Sequence, residues 1–304
     1  MTHPYATDAY AQTLFHIGRP VAVPEWGCNV VARPIPGGGE DLAGCYPIAV
    51  LNADADLRGG LARLRAEGFV SVTLTLDDFH RPSIEELQNT FDVVRPFKTH
   101  FVHQGPIENY RPGRNHRHKI NRSRRSVITK PIDLSQYVAA WASLYHDVIN
   151  KHSLSGMHAF TLASFEMLAQ IPGLETIGGF VGNELVSCNT WVTHNGRVHS
   201  HLVASNALGY ELRAAYAVSD ASVTYFRNAE IVNFGGGAGV EDNAEDGLAQ
   251  FKRGFGNAQA RSYICGAILD RSNYARLTTA RNRLLPTDYF PAYRAPTELA
   301  GTAS

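Results

Sequence analysis

Residues Asn233–Gly256 read NFGGGAGVEDNAEDGLAQFKRGFG. An apolar strand (Ile231, Val232, Phe234) runs into Gly235-Gly236-Gly237. An acidic loop follows, and then Phe251-Lys252-Arg253-Gly254-Phe255-Gly256. Consecutive glycines let the backbone come close to another group, as at a bulge, a tight turn or a ligand site. No Gly-Lys-Ser/Thr follows the triplet, which excludes a nucleotide P-loop.

Working outward, the order of elements around this stretch carries the fold. SYICGAILD downstream reads as a strand, and an amphipathic helix is expected upstream over about 210–228. Before it, ETIGGFVGNELVSCNTWVTHNGRVHSHLVASN holds two or three strands joined at Gly182-Asn183 and Asn195-Gly196; Asn-Gly is a strong hairpin signal. Two helices precede these strands. Ser135–His152 has Val138, Trp141, Leu144, Tyr145, Val148 and Ile149 at helical spacing with Asp133 or Ser135 as cap, and Leu162–Gln170 ends at Ile171-Pro172-Gly173. The first 110 residues alternate strand-like runs (YPIAVLN at 46–52, FVSVTLTL at 69–76) with a helix over DLRGGLARLRAEG closed by Gly68. Ser83 and Glu86 form a capping box before SIEELQNTF.

At 304 residues with 44% apolar content, the chain is long enough for two compact domains, and no apolar run of membrane-spanning length interrupts it. The N-terminus shows no basic segment followed by an apolar one, so a cytoplasmic location is expected. Cys28, Cys45, Cys188 and Cys265 are widely spaced without a CxxC, as buried free thiols would be. Net charge is zero, which excludes bulk attraction to nucleic acid, but RPGRNHRHKINRSRRSVITK (111–130) packs eight Lys/Arg with no acid.

The stretch from Trp141 to Asp270 resembles the FemABX-type aminoacyl transferases, a branch of the GNAT acyltransferase superfamily. The matching pieces are Trp141-x-x-Leu144-Tyr145, Lys151-His152-x-Leu154-x-Gly156, Ile171-Pro172-Gly173-Leu174 and Ser200-His201-Leu202, followed by Leu208-Gly209-Tyr210, Leu212-Arg213-Ala214, the glycine triplet and the Phe-Lys block. Upstream, Asn115–Ile120 resembles the basic helix that precedes the catalytic half. The resemblance implies an α/β (α+β) fold of two GNAT-like subdomains, each a mixed, mostly antiparallel sheet flanked by helices, with a cleft between them. It is of the compact, arm-less type. Residues 1–132, completed by 272–304, would form a degenerate acceptor-side half, and 133–271 the catalytic half.

The resemblance also implies roles. Phe251 and Lys252 would handle the aminoacyl end of the donor, with Lys252 on a terminal phosphate or ribose or on the developing oxyanion. Arg253, Arg213 and Gly235–Gly237 join the donor side. The place of the superfamily's pyrophosphate loop reads Asn206-Ala207-Leu208-Gly209-Tyr210-Glu211; its first residue is Asn and its last is Glu, a carboxylate that competes with bound pyrophosphate. In the basic segment, Arg114, Arg117, Lys119, Arg122, Arg124 and Arg125 are candidates to track phosphates, or else a solvated face bridging domains. Candidates for a general base are His199 and His201, two apart on a strand and so on one face, with a structural role as the alternative. Asp77 and Asp78 stand at a strand end, either as contacts for an acceptor ammonium or as a turn; Tyr210 and Tyr216 complete the acceptor candidates. No metal constellation and no Ser/His/Asp set is legible.

The leading expectation is therefore amide-bond formation between an amino acid on aminoacyl-tRNA and the amine of a peptide acceptor, a peptide natural product or a peptidoglycan precursor stem. No cofactor is needed beyond the tRNA co-substrate. Two alternatives stay open: an acyl-CoA-dependent N-acyltransferase on a small amine or amino sugar, and a non-catalytic RNA-binding protein of the same fold.

Overall fold

The computed structural model describes residues 2–239, 242–243, 245–282 and 289–295. The end of the segment expected to complete the first half lies partly outside these residues, as do three positions of the acidic loop. The chain divides into two compact units. One comprises Tyr5–Ala11, Ile17–Pro96 and the residues from Tyr263 onward; the other comprises residues 2–4, Gln12–His16 and Phe97–Ser262. The basic segment thus belongs to the same unit as the glycine triplet.

In the first of these units, β1 (Arg19–Val23), β2 (Cys28–Pro34) and β3 (Glu40–Gly44) form an antiparallel set, and β4 (Ser71–Asp77) pairs parallel with β3. Helices α1 (Asp8–Gln12), α2 (Leu57–Ala66) and α3 (Ile84–Gln88) accompany them. The α3 cap is as expected: Ser83 Oγ accepts from Glu86 N at 3.1 Å. The stretch 46–52 is not a strand. Ile48–Leu51 are apolar because they are buried, and the backbone makes isolated bonds (Ala49 N to Thr75 O, Asn52 N to Trp26 O) instead of a ladder.

The second unit holds part of β5 (Val93–Gln104) with β6 (Ile128–Pro131), β7 (Leu174–Val181), β8 (Glu184–His194), β9 (Arg197–Ser205) and β10 (Ile231–Asn233) in the order β5-β10-β9-β8-β7-β6. Every neighbouring pair is antiparallel except β10–β9. Both expected hairpins form, at 182–183 and 195–196. Helices α4 (Arg114–Ser123), α5 (Val138–His152), α6 (Leu162–Leu168), α7 (Ala207–Glu211), α8 (Ala214–Tyr225) and α9 (Gly247–Arg253) flank the sheet. β11 (Ala258–Ile268) begins in this unit beside β5; α10 (Arg271–Asn282) follows in the other.

The single helix expected over 210–228 is two. Asn206 caps α7, and Arg213, with φ 58° and ψ 35°, breaks the chain before α8. Trp191, Val218, Val223, Phe234 and Phe255 form a buried cluster between α8, α9 and the sheet. Fully burying one such side chain contributes about 1.5–3 kcal/mol, so the cluster holds β10 and α9 in register with each other. Trp191 Nε1 donates to Ser222 Oγ at 3.1 Å, which satisfies the one polar atom of that indole. All four cysteines are buried and free.

Candidate functional site

The glycine triplet forms a turn between the end of β10 and α9. Gly235 has φ +76°, the left-handed region that glycine enters without strain, and its N–H donates to Asn233 Oδ1 at 2.8 Å. A Cβ on Gly236 would lie 2.9 Å from Lys98 Cβ, so the turn can lie this close to β5 only without a side chain. Asp246 caps α9, with Oδ2 accepting from Ala249 N and from Ala238 N, both at 2.9 Å. Burial alone would raise this carboxyl, but the backbone donors hold it below the usual range.

Two ammonium groups grip the turn. Lys252 Nζ donates to Gly236 O at 2.6 Å and Lys98 Nζ to Ala238 O at 2.9 Å. Desolvation pushes Lys252 down to about 8; Asp246 opposes the shift and Lys98 adds to it. An ammonium has three donors, and the bond to Gly236 uses one. A Cβ on Gly235 would lie 3.2 Å from Lys252 Nζ and 3.9 Å from His199 Nε2, so these nitrogens flank the turn. Beneath it, His199 on β9 stacks on His100 of β5 (centroids 5.8 Å apart), and Asn233 Nδ2 meets His100 Nδ1 at 3.1 Å.

Helix α4 docks on the Phe-Lys block. His116, Ile120 and Ser123, spaced four and three apart, form its inward stripe. His116 Nε2 lies 2.8 Å from Phe251 O, and Gly113 N donates to Gly254 O at 3.0 Å. Burial lowers the His116 pKa, so the ring is a neutral donor to that carbonyl. Phe251 meets Tyr216 edge-on (4.8 Å), and Lys119 Nζ donates to Tyr216 Oη at 3.0 Å. A basic helix, an aromatic layer and a lysine on a glycine turn are thereby tied into one assembly.

No protein-family model and no curated protein sequence matches the chain. Solved structures do. FemX superposes with a TM-score of 0.62 at 13% identity, over 90% of this chain and 95% of that one. The C-terminal domain of a putative lysylphosphatidylglycerol synthetase from Agrobacterium fabrum gives 0.60 at 10% identity over 92% of each chain. L-PGS from Bacillus licheniformis gives 0.57 at 10% identity, over 90% and 95%.

The chain has the FemX fold.

Within that fold, the remaining candidates are placed as follows. The loop expected to cradle pyrophosphate spends its groups internally: Gly209 N donates to Asn206 Oδ1 at 2.8 Å, and Asn206 Nδ2 donates to Glu184 Oε1 at 2.9 Å. A Cβ on Gly209 would sit 2.1 Å from Val186 O, so this glycine serves the packing of α7 on β8. Tyr210 is exposed under Lys151 Nζ (3.6 Å to the ring centroid). His199 and His201 do not share an environment. A register shift between Thr190 and Trp191 leaves His201 as the extra residue of a bulge, packed edge-on to Phe160 and pushed by burial down to about 3. Such an imidazole is neutral and a poor base near pH 7.

In the basic segment, Arg114, Arg117, Arg122, Arg124 and Arg125 are exposed; Arg124 pairs with Asp220, which also accepts from Tyr110. Arg253 lies over the Phe101 ring at 5.5 Å. Asp77 and Asp78 belong to the other unit. Asp78 pairs with Arg81 at 2.8 Å, while buried Asp77 bonds His80 Nδ1 at 2.8 Å through Oδ1 and its Oδ2 makes no hydrogen bond. Among the described residues no group of His, Cys, Asp and Glu could hold a metal, and no helix is long and apolar enough to cross a membrane. Lys98, His100 and Asn233 escaped the sequence reading. The signal available was Lys98 and His100 on one face of a strand, polar where apolar residues belong.

Proposed function

We propose that this protein is an aminoacyl transferase that passes an amino acid from aminoacyl-tRNA to the amine of a peptide or peptide-like acceptor. The observation that carries the reading is Lys252, a half-buried cation anchored to the glycine turn and joined through Phe251 to the basic helix α4. The names FemX and lysylphosphatidylglycerol synthetase among the fold's neighbours support the same class, as does the resemblance of the Phe-Lys block.

The neutral acceptor nitrogen attacks the ester carbonyl carbon. A C–N bond forms and the carbonyl oxygen gains negative charge. Collapse breaks the C–O bond to the ribose, the ribose oxygen takes up a proton, and the nitrogen loses one. Lys252 donates to the developing oxyanion, a role whose removal commonly costs about 10² to 10³ in rate. A free α-amine has a pKa of about 7.7–8.0, so a useful fraction is neutral near pH 7.5 and no strong base is required. The internal bonding of the Asn206–Glu211 loop weighs against coenzyme A as donor.

The test is mass spectrometry of peptide acceptors incubated with charged tRNA, with and without RNase. A product that RNase abolishes is expected; an RNase-insensitive product overturns the donor assignment.

A further inference from the structure

Beside the Phe-Lys block lies a cavity of about 170 Å³ lined by Asn115, His118, Lys119, Arg122 and Arg213. The first four are spaced three, four and seven along α4 and so share one face of the helix. None of the five lining residues is acidic. The carboxylate at hand on α8, Asp220, is engaged by Arg124 and Tyr110, which do not line the cavity. Lys119 is fixed by its bond to Tyr216 Oη and lies over that ring at 4.8 Å. Arg213 enters from the break between α7 and α8, where φ 58° is the left-handed region that favours glycine. A residue held at an unfavourable backbone position points to a use for its side chain.

We propose that this cavity is a phosphate subsite that holds one phosphate ester group of the donor. Two guanidinium forks match a tetrahedral oxyanion in two directions, an ammonium adds a point charge, and the Asn115 amide adds neutral donors. At about 170 Å³ the cavity has room for a single phosphate group. Tyr216, which holds Lys119 at the cavity, also meets Phe251 edge-on at 4.8 Å. A phosphate here therefore lies one aromatic ring away from the Phe-Lys block, as a donor's terminal phosphate must be if its acyl end is handled at Lys252. Only the source of the phosphate, the 3′ end of tRNA, rests on the function proposed above; coenzyme A offers the same chemistry.

The experiment measures binding of the RNA tetranucleotide ACCA, of coenzyme A and of inorganic pyrophosphate to the full chain and to Arg213→Gly, Arg122→Gln and Arg227→Gln. Arg213→Gly removes the cation and relieves the backbone, so it folds; Arg122 is exposed, so its replacement is a second, independent probe. Losing one charged hydrogen-bonding partner predicts about a ten- to hundredfold weaker hold on the best-bound probe in both cavity variants, and under about twofold for exposed Arg227→Gln. Competition by pyrophosphate against that probe is expected in the wild type and not in Arg213→Gly. Wild-type affinity for all three probes in both cavity variants overturns the subsite, as does an equal loss in Arg227→Gln, the mark of diffuse charge. Selective binding of coenzyme A through these residues upholds the subsite and overturns tRNA as its source.

Discussion

Lys252 takes its chemistry from where it lies. Its neighbours are a carbonyl at 2.6 Å, a second lysine and a glycine turn that admits no side chain. With the group pushed down to about 8, its protonated form is the working one and is lost as pH rises through that value. The acceptor amine gains its reactive neutral form over the same range, so kcat/KM should rise to a maximum near pH 8 and fall beyond it. In Lys252→Arg the alkaline fall should vanish, since a guanidinium does not titrate there; an unchanged fall would remove Lys252 from the transition state. Lys252→Ala should cut kcat by about 10² to 10³ with a folded protein. Stability follows the same sign. A lysine lowered from 10.5 leaves the folded state with fewer protons than the unfolded one between about 8 and 10.5, so stability should climb with pH across that window in the wild type and not in Lys252→Met. At Gly236 an added methyl meets Lys98 Cβ at 2.9 Å, and Gly236→Ala should cost about 1–3 kcal/mol in denaturant unfolding.

Elements differ in how much of them can be read locally. The hairpin at Asn195-Gly196 and the cap at Ser83 are legible because every atom that stabilises them lies within a few residues. Strand β5 is not. It carries Lys98, His100 and His103 buried, in a pattern that mimics a loop, and the first two are accommodated by β10, β9 and the glycine turn far away in sequence. The break at Arg213 is equally hidden, because the amphipathic pattern of 210–228 runs straight through it. Here the local cost is measurable. A left-handed non-glycine residue costs about 1–2 kcal/mol, so Arg213→Gly should raise the melting temperature by a few degrees. A fall would show that the arginine contributes more to folding than its backbone costs. The docking of α4 on α9 is also an element-scale matter: His116→Ala removes the donor to Phe251 O and should weaken binding of charged tRNA as well as stability, the latter by about 1–3 kcal/mol.

For the whole molecule, zero net charge conceals a segregated one: the unit with the Phe-Lys block carries α4, five of whose basic side chains face solvent or the cavity. If four to six cations meet phosphates, log affinity for charged tRNA should fall against log salt with a slope of about −3 to −5. A slope near zero in filter binding between 50 and 200 mM salt would exclude α4 as an RNA surface, those limits being the range of about a fourfold change in salt over which the effect is large. The linear order of helices, hairpins, glycine triplet and Phe-Lys block is enough to name the fold, since periodicity, caps and turns are short-range properties of the chain. It could not assign jobs. That Gly209 serves packing against Val186, that His201 is sealed against Phe160, and that Lys98 joins Lys252 at the turn all depend on groups far apart in sequence meeting in a desolvated place. Burial and neighbouring charge set what a titratable side chain can do, and both come into being only when the chain has folded.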